Sequence, residues 1–250
     1  MERRLATQKV SFVILRYEPT NDGKPRYQTY SLEVNLSDMV INALDNIHNN
    51  IDASLTYRHS CHHGVCGSCV ARINGIEKIM CKTPISEVVN RRNRVILEPM
   101  KNFRVIRDLV VDLDPFFKKL GFVKPALVGH VPLDKEIPHS PKNVKSMIRY
   151  ESCIECGACY SACPIVSTDP DYLGPGALVA AYRTCVDDRD KGKSARLRLV
   201  DNEEGCWRCH SIFNCVDVCP KDVRPASAIA GLRRMITSEK LAFWRRRKEQ

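Results

Sequence analysis

Residues 9–17 (KVSFVILRY) and 26–34 (RYQTYSLEV) are rich in β-branched and aromatic side chains, and Asn21-Asp22-Gly23 between them carries turn chemistry. A pair of strands is predicted there. Ser37 or Asp38 can cap a helix through Val40, Ile41, Leu44 and Ile47, which recur at helical spacing. Asn74-Gly75, between residues 68–73 and 77–80, predicts a tight hairpin, and residues 94–98 (RVILE) predict a further strand. Beyond Met100 the pattern changes. Phe103, Ile106, Val110 and Leu113 recur at steps of three and four and predict a helical stretch ending near Gly121. Pro125, Pro132, Pro138 and Pro141 then predict an irregular connector. Leu178, Ala181, Tyr182 and Cys185 form one helical stripe; Ile229, Leu232 and Ile236 form another after Pro225, so the C-terminal half is expected to be all-helical. The longest weakly polar run, residues 176–182, has the length of a core helix. No run approaches the roughly 20 apolar residues of a membrane span.

At 250 residues the chain makes one large domain or two ordinary ones, and 44% hydrophobic with 27% charged residues is the balance of a packed protein. The formal charge of +10 fits an acidic protein partner, anionic lipid headgroups or plain solubility. No aromatic-interleaved basic stripe or known nucleic-acid motif accompanies it, so no nucleic-acid partner is expected. The charge is densest at residues 240–248, where Lys240, Arg245, Arg246, Arg247 and Lys248 surround Phe243 and Trp244. That segment reads equally as a frayed basic terminus or as a contact with the membrane interface.

Thirteen cysteines exceed what packing uses. The start MERRLATQKVSFVIL has Arg3-Arg4 but neither an apolar core nor a small-residue cleavage site of a secretory signal, so thiolates held by metal in a reducing cytoplasm are expected rather than disulfides. Eleven of the thirteen fall into three patterns. Cys61-x4-Cys66-x2-Cys69, with Cys81 after eleven more residues, is the plant-type [2Fe–2S] spacing. Four thiolates also suit zinc, but zinc ribbons pair two C-x2-C knuckles, whereas one x4 step and a distant fourth cysteine belong to [2Fe–2S]. Gly64 and Gly67 let the loop take positive φ and approach a cluster. His62 and His63 stand between ligands that are already four in number, so they are expected beside the cluster or at the surface.

Cys153-x2-Cys156-x2-Cys159-x3-Cys163-Pro164 is the bacterial ferredoxin run, and Cys209-x5-Cys215-x3-Cys219-Pro220 is the same run with Ile212 in place of one cysteine. In such repeats the fourth cysteine ligates the other cluster. Cys153, Cys156, Cys159 and Cys219 are therefore assigned a [4Fe–4S] cluster. Cys163, Cys209 and Cys215 remain, and three thiolates facing an isoleucine suit [3Fe–4S]. Cys206 is the alternative fourth ligand, which would make that cluster [4Fe–4S]. Cys185, on a helical stripe, reads as a buried thiol. These assignments divide the chain into residues 1–103, a plant-type ferredoxin domain of β-grasp fold, and residues 104–250, an all-helical bacterial-ferredoxin-like domain, α+β in sum.

The three patterns in this order resemble the iron–sulfur subunit of succinate dehydrogenase and fumarate reductase, respiratory complex II. The resemblance runs through Ser60-Cys-His-His-Gly-Val-Cys-Gly-Ser-Cys69, Cys153-Ile-Glu-Cys-Gly-Ala-Cys159, Gly174-Pro-Gly-Ala-Leu178 with Ala181-Tyr-Arg183, and Cys209-His-Ser-Ile-Phe-Asn-Cys215 with Cys219-Pro-Lys221. It implies electron transfer from FAD in a flavoprotein subunit, where succinate is oxidised, through [2Fe–2S], [4Fe–4S] and [3Fe–4S] to quinone at a membrane anchor. It implies quinone contacts at Pro164, His210 and Ile212, with His210 able to exchange a proton near neutral pH. It also implies anchor subunits that hold the chain at a membrane, and with no transit-peptide pattern in the sequence the cytoplasmic face of a prokaryotic membrane is expected. Fumarate reduction over the same relay is the alternative within the family, and a stand-alone multi-cluster ferredoxin the alternative outside it. Two departures stand out. Ser167 or Thr168 occupies the place where many members carry a tryptophan that donates to quinone, and His62-His63 replaces an Arg-Glu pair between the first two cysteines.

Overall fold

The computed structural model describes residues 7–20, 23–129 and 135–248. Asn21, Asp22 and Pro132 lie outside the described residues. The chain forms two compact units, Met1–Leu113 with Ile154–Ser161, and Asp114–Cys153 with Ala162–Gln250.

The first unit is built on a five-stranded sheet. β1 (Thr7–Arg16) and β2 (Arg26–Asn35) form an antiparallel pair, followed by helix α1 (Val40–Asn50), β3 (Val70–Ile73), β4 (Ile76–Ile79), the short helix α2 (Ile85–Val88) and β5 (Arg94–Glu98). The strand order is β2-β1-β5-β3-β4, with β5 parallel to β1 and antiparallel to β3. Tyr30, Leu32 and Val34 of β2 are buried while Ser31 and Glu33 between them are exposed, the alternation of a strand with one covered face. α1 buries Val40, Ile41, Ala43, Leu44 and Ile47. Its cap is Met39 rather than Ser37 or Asp38, because the Asn42 side chain reaches back to accept from the Met39 N–H at 3.2 Å. The Asn74-Gly75 turn has positive φ at both residues, as a two-residue hairpin requires.

The helix expected through Phe103, Ile106, Val110 and Leu113 is absent. A hairpin of β6 (Val105–Arg107) and β7 (Val110–Val111) stands there instead. Apolar spacing of three and four is met here by a reversal at Asp108, which takes φ +45°. Its buried carboxylate accepts from Arg16 Nε at 3.0 Å and from the Tyr17 and Thr56 N–H groups at 3.0 and 2.9 Å. This anchor keeps the hairpin with the first unit, which runs to Leu113 and so past the 103/104 division read from the cysteine patterns. Arg16 also donates to Asp52 at 2.7 Å, Ser54 at 2.9 Å and Tyr30 at 2.6 Å. Hydrogen bonds from Ser54, then Tyr30, then Arg16 hold the Asp52 carboxyl well below the usual carboxylate range, against the opposing effect of burial. Its stabilisation is therefore in place at neutral pH and is lost only as the pH falls below about 4 toward the lower folded value.

The second unit's described elements are helices: α3 (Asp114–Phe122), α4 (Pro141–Glu151), α6 (Pro164–Thr168), α7 (Gly174–Val186), α8 (Lys193–Val200), α9 (Asn214–Asp217) and α10 (Pro225–Lys248), while α5 (Ala158–Ser161) belongs to the first. α7 is its centre, burying residues 174–181 with Thr184 and Cys185. α10 approaches it closely at Gly231, where a Cβ would come within 2.2 Å of the Tyr182 ring. Ser140 caps α4, its hydroxyl accepting from the Asn143 N–H at 3.2 Å, with Pro141 in the first turn. Pro141 of the proline-rich connector opens α4, and the described residues 124–129 and 135–140 before it carry no helix or strand. The connector's start is held by Arg196, which donates to the Lys124 and Ala126 carbonyls at 3.0 and 2.9 Å and pairs with Asp190 at 2.6 Å, both side chains buried. Among the described residues no helix is long and apolar enough to cross a membrane. On α10, Leu241, Phe243 and Trp244 are exposed.

Candidate metal centres

The first cysteine loop leaves regular structure after α1 and returns at β3. Cys61 Sγ receives three backbone N–H groups, from His63 at 3.3 Å and from Val65 and Cys66 at 3.4 Å. Those donors, Cys66 first, bring its thiol down to about 6, so the sulfur is anionic at neutral pH. All four cysteines are free; the Cys66 thiol donates a hydrogen bond to the Cys61 sulfur and the Cys69 thiol one to the Cys81 sulfur. Burial pushes the Cys69 thiol up. Cys61 thus lies beside Cys66 and Cys69 beside Cys81, the last arriving from a 3-10 turn, Met80–Lys82. Gly67, between Cys66 and Cys69, takes φ +72°, and a Cβ there would lie 2.8 Å from the Ile154 carbonyl oxygen and 2.9 Å from Cys156 Cβ. The backbone of the first loop thus lies directly against the second cysteine run. Glycine cradles, N–H groups aimed at sulfur and a four-thiolate donor set all fit an iron–sulfur centre. His63 is exposed, and His62 Nε2 lies 3.3 Å from His59 Nδ1.

Of the second run, Cys156 and Cys159 lie in the Ile154–Ser161 segment of the first unit, with Gly157 at φ +78° against the Phe103 ring. Cys153 and Cys219 belong to the second unit, where both pack on Val179, Val223 and Ala228. Cys219 Sγ accepts from the Val223 N–H at 3.3 Å.

Cys163, Cys209 and Cys215 line one small recess, together with Pro164, His210 and Ile212. All six residues singled out in the sequence thus meet. Cys163 precedes α6 and receives the Val166 and Ile165 N–H groups, yet burial leaves its thiol raised. Cys215 is pushed up to about 12, by burial first and then by the charges of Cys163 and Cys209. Cys209 Sγ accepts from the Ser211 N–H at 3.4 Å. Gathered in one recess that disfavours the ionisation of Cys163 and Cys215, the three sulfurs would all become thiolates only with a cation between them. Ser211 and Phe213 take φ of +56° and +70°, which turns the loop outward and leaves Ile212 49% and Phe213 53% exposed. Ser167 and Thr168 are both exposed, and Thr168 donates its hydroxyl to the Ile165 carbonyl at 3.1 Å.

Cys206 does not line this recess. It is fully buried in the 3-10 turn Cys206–Arg208, and burial pushes its thiol up to about 11. Arg233 fixes that turn, donating to the Cys206 carbonyl at 2.9 Å and the Cys209 carbonyl at 2.6 Å. Cys185 is buried, as expected, and bonds to Arg196.

Sequence reasoning missed Tyr172. It is 1% exposed; burial first, then the charges of Cys209, Cys163 and Cys215, and least a hydrogen bond to Cys209, raise its hydroxyl far above the ordinary range. No spacing signal marks it; a lone tyrosine ahead of a helix reads as core.

Residues 11–118 match the family described as 2Fe-2S iron-sulfur cluster binding domain, and residues 149–223 match the 4Fe-4S dicluster domain. The chain is 38% identical over 224 residues to the fumarate reductase iron-sulfur subunit of Mycobacterium tuberculosis, covering 88% of this chain and 90% of that protein. It is 37% identical over 234 residues to the succinate dehydrogenase iron-sulfur subunit of Paracoccus denitrificans, covering 92% and 89%. Among solved structures, a chain of the Mycobacterium smegmatis Sdh1 complex in the apo form superposes with a TM-score of 0.83 at 23% identity, over 94% of this chain and 98% of that one.

Proposed function

Because the chain belongs to the family of iron–sulfur subunits of succinate dehydrogenase and fumarate reductase, we propose that it conducts electrons from succinate to quinone. In that reading electrons enter from FAD in a flavoprotein subunit, and three centres, [2Fe–2S], [4Fe–4S] and [3Fe–4S], supply one-electron transfer toward quinone at a membrane anchor. Cys61, Cys66, Cys69 and Cys81 hold the first, Cys153, Cys156, Cys159 and Cys219 the second, and Cys163, Cys209 and Cys215 the third. The observation that carries the relay is the seating of Gly67 against Cys156, because it brings the ligand loops of the first and second centres to van der Waals distance. The sheet with α1 on it is read as a β-grasp, and the second unit as an all-helical dicluster domain.

Ile212, exposed at the recess mouth beside Phe213, stands where a fourth thiolate would be, which supports three iron atoms in the third centre. Pro164, His210 and Ile212 line that mouth and are read as the quinone contacts, with the membrane on the same side. Total iron is expected at about nine atoms per chain, the sum of two, four and three. Ile212→Cys is expected to raise it to about ten and to abolish the oxidised-state EPR signal of a [3Fe–4S] centre. Ten iron in the wild type, with no oxidised-state signal, would overturn the third assignment. The direction is tested by comparing succinate-to-quinone with quinol-to-fumarate turnover of the purified complex; faster fumarate reduction would reverse it.

Tyr172 sets the electronics of the third centre in this reading. A hydroxyl donated to a ligand sulfur favours the reduced, more negative state. Tyr172→Phe is expected to lower that centre's midpoint potential by roughly 50 mV, the one-electron equivalent of about 1 kcal/mol of differential hydrogen bonding. EPR-monitored redox titration measures it. An unchanged potential would make Tyr172 a packing residue only.

A further inference from the structure

A group of metal-binding side chains lies outside the cysteine patterns. Asp45 of α1 and His59 and His62 of the first cysteine loop each offer a ligand atom, all within 4.8 Å of one another. His62 Nε2 is 3.3 Å from His59 Nδ1, and its Nδ1 is 4.0 Å from Asp45 Oδ2. The His62 and Asp45 side chains are 38% and 29% exposed, so an ion can reach them. We propose that Asp45, His59 and His62 bind one Zn²⁺ ion beside the Cys61 loop.

Two imidazoles and a carboxylate are the donor set of a late first-row divalent cation, and three protein ligands leave a fourth position for water. At zinc bond lengths the donors of a tetrahedral site stand about 3.3 Å apart, a distance that modest rotation of solvent-facing imidazoles reaches. The surroundings orient the set. Tyr57 donates its hydroxyl to Asp45 Oδ1 at 2.5 Å, which leaves Oδ2 facing His62. The Tyr57 ring also lies 5.2 Å from the His59 ring, tilted by 30°, and supports it. A carboxylate held by an outer hydroxyl and an imidazole backed by an aromatic ring are the supports that metal ligands carry. The other His/Asp group among the described residues, His139 with Asp187 and Asp188, differs in kind. Arg189 already occupies Asp187 at 2.6 Å, so a cation there meets a fixed positive charge. A dication at the Asp45 group stands beside Cys61, where its charge favours the reduced form of the neighbouring centre.

The test titrates Zn²⁺ into the purified, iron-replete complex in competition with a chromogenic chelator, with iron and acid-labile sulfide checked for each variant. The wild type is expected to bind one Zn²⁺ per chain that His59→Ala does not. Tyr57→Phe keeps all three ligands and is expected to bind about 10–100-fold more weakly. His139→Ala is expected to match the wild type. Asp45→Asn, which alters no residue of the cysteine loop, gives a second reading should His59→Ala lose iron. Cu²⁺ in the site is expected to speed relaxation of the first centre's reduced EPR signal in the wild type and not in His59→Ala. Equal Zn²⁺ binding by wild type, His59→Ala and Asp45→Asn, or unchanged relaxation with Cu²⁺ bound, would overturn the proposal.

Discussion

Gly67→Ala is expected to cost the protein its first iron–sulfur centre. The residue sits at φ +72°, where an L side chain is disfavoured by about 1–2 kcal/mol. Its new Cβ would stand 2.8 Å from the Ile154 carbonyl oxygen and 2.9 Å from Cys156 Cβ, and neither neighbour is the movable end of a flexible side chain. Relief requires the loop carrying Cys66 and Cys69 to shift, adding about 1–3 kcal/mol of overpacking. The sum, about 2–5 kcal/mol, falls on the loop that carries Cys61, Cys66 and Cys69. Iron and acid-labile sulfide are expected to fall by about two atoms each per chain, with loss of the [2Fe–2S] signal on reduction. Gly64→Ala provides the contrast. Gly64 also has positive φ, at +69°, but its Cβ would meet only the aliphatic chain of Lys82, which can swing aside. It is expected to keep its iron. Equal loss in both variants would mean that backbone conformation, not the approach to Cys156, decides the outcome.

Arg16→Met is expected to destabilise the first unit by about 3–5 kcal/mol, because it leaves the buried Asp108 and the partly buried Asp52 without their cation. Asp108 retains only the N–H groups of Tyr17 and Thr56. The β6–β7 hairpin that hangs on Asp108 is expected to open first, since few apolar groups hold it. Denaturant unfolding followed by hydrogen exchange at residues 105–111 measures both effects. Adding Asp108→Asn to Arg16→Met removes the orphaned charge and is expected to recover part of the loss. A double variant no more stable than Arg16→Met would show that the pair contributes little beyond packing.

Both effects arise from contacts that no sequence window contains. Gly67 and Cys156 are far apart along the chain, as are Arg16 and Asp108, and local pattern carries no record of either pairing. The same blindness produced the mistaken helix through Phe103 and Leu113. Spacing of three and four is common to a helix face and to a short hairpin, and the choice was made by a buried carboxylate that needed partners from β1 and from the loop at Thr56. Tyr172 escaped notice for a related reason, since one aromatic residue near a helix start has no pattern that separates ligand support from core.

Much was nonetheless written locally. The plant-type spacing and the two ferredoxin runs name their chemistry because ligand geometry around a compact inorganic centre limits how many residues can separate successive thiolates. The strands at 9–17 and 26–34, the Asn74-Gly75 turn and the stripes of α7 and α10 were legible because backbone periodicity and left-handed turns depend on near neighbours. Tertiary structure alone decided which sulfurs are bare and which are shielded, that Cys206 stays in the core while Ile212 faces outward, and that Asp45 meets two histidines. Those outcomes depend on burial and on through-space charge, which are properties of the folded surface and not of order along the chain.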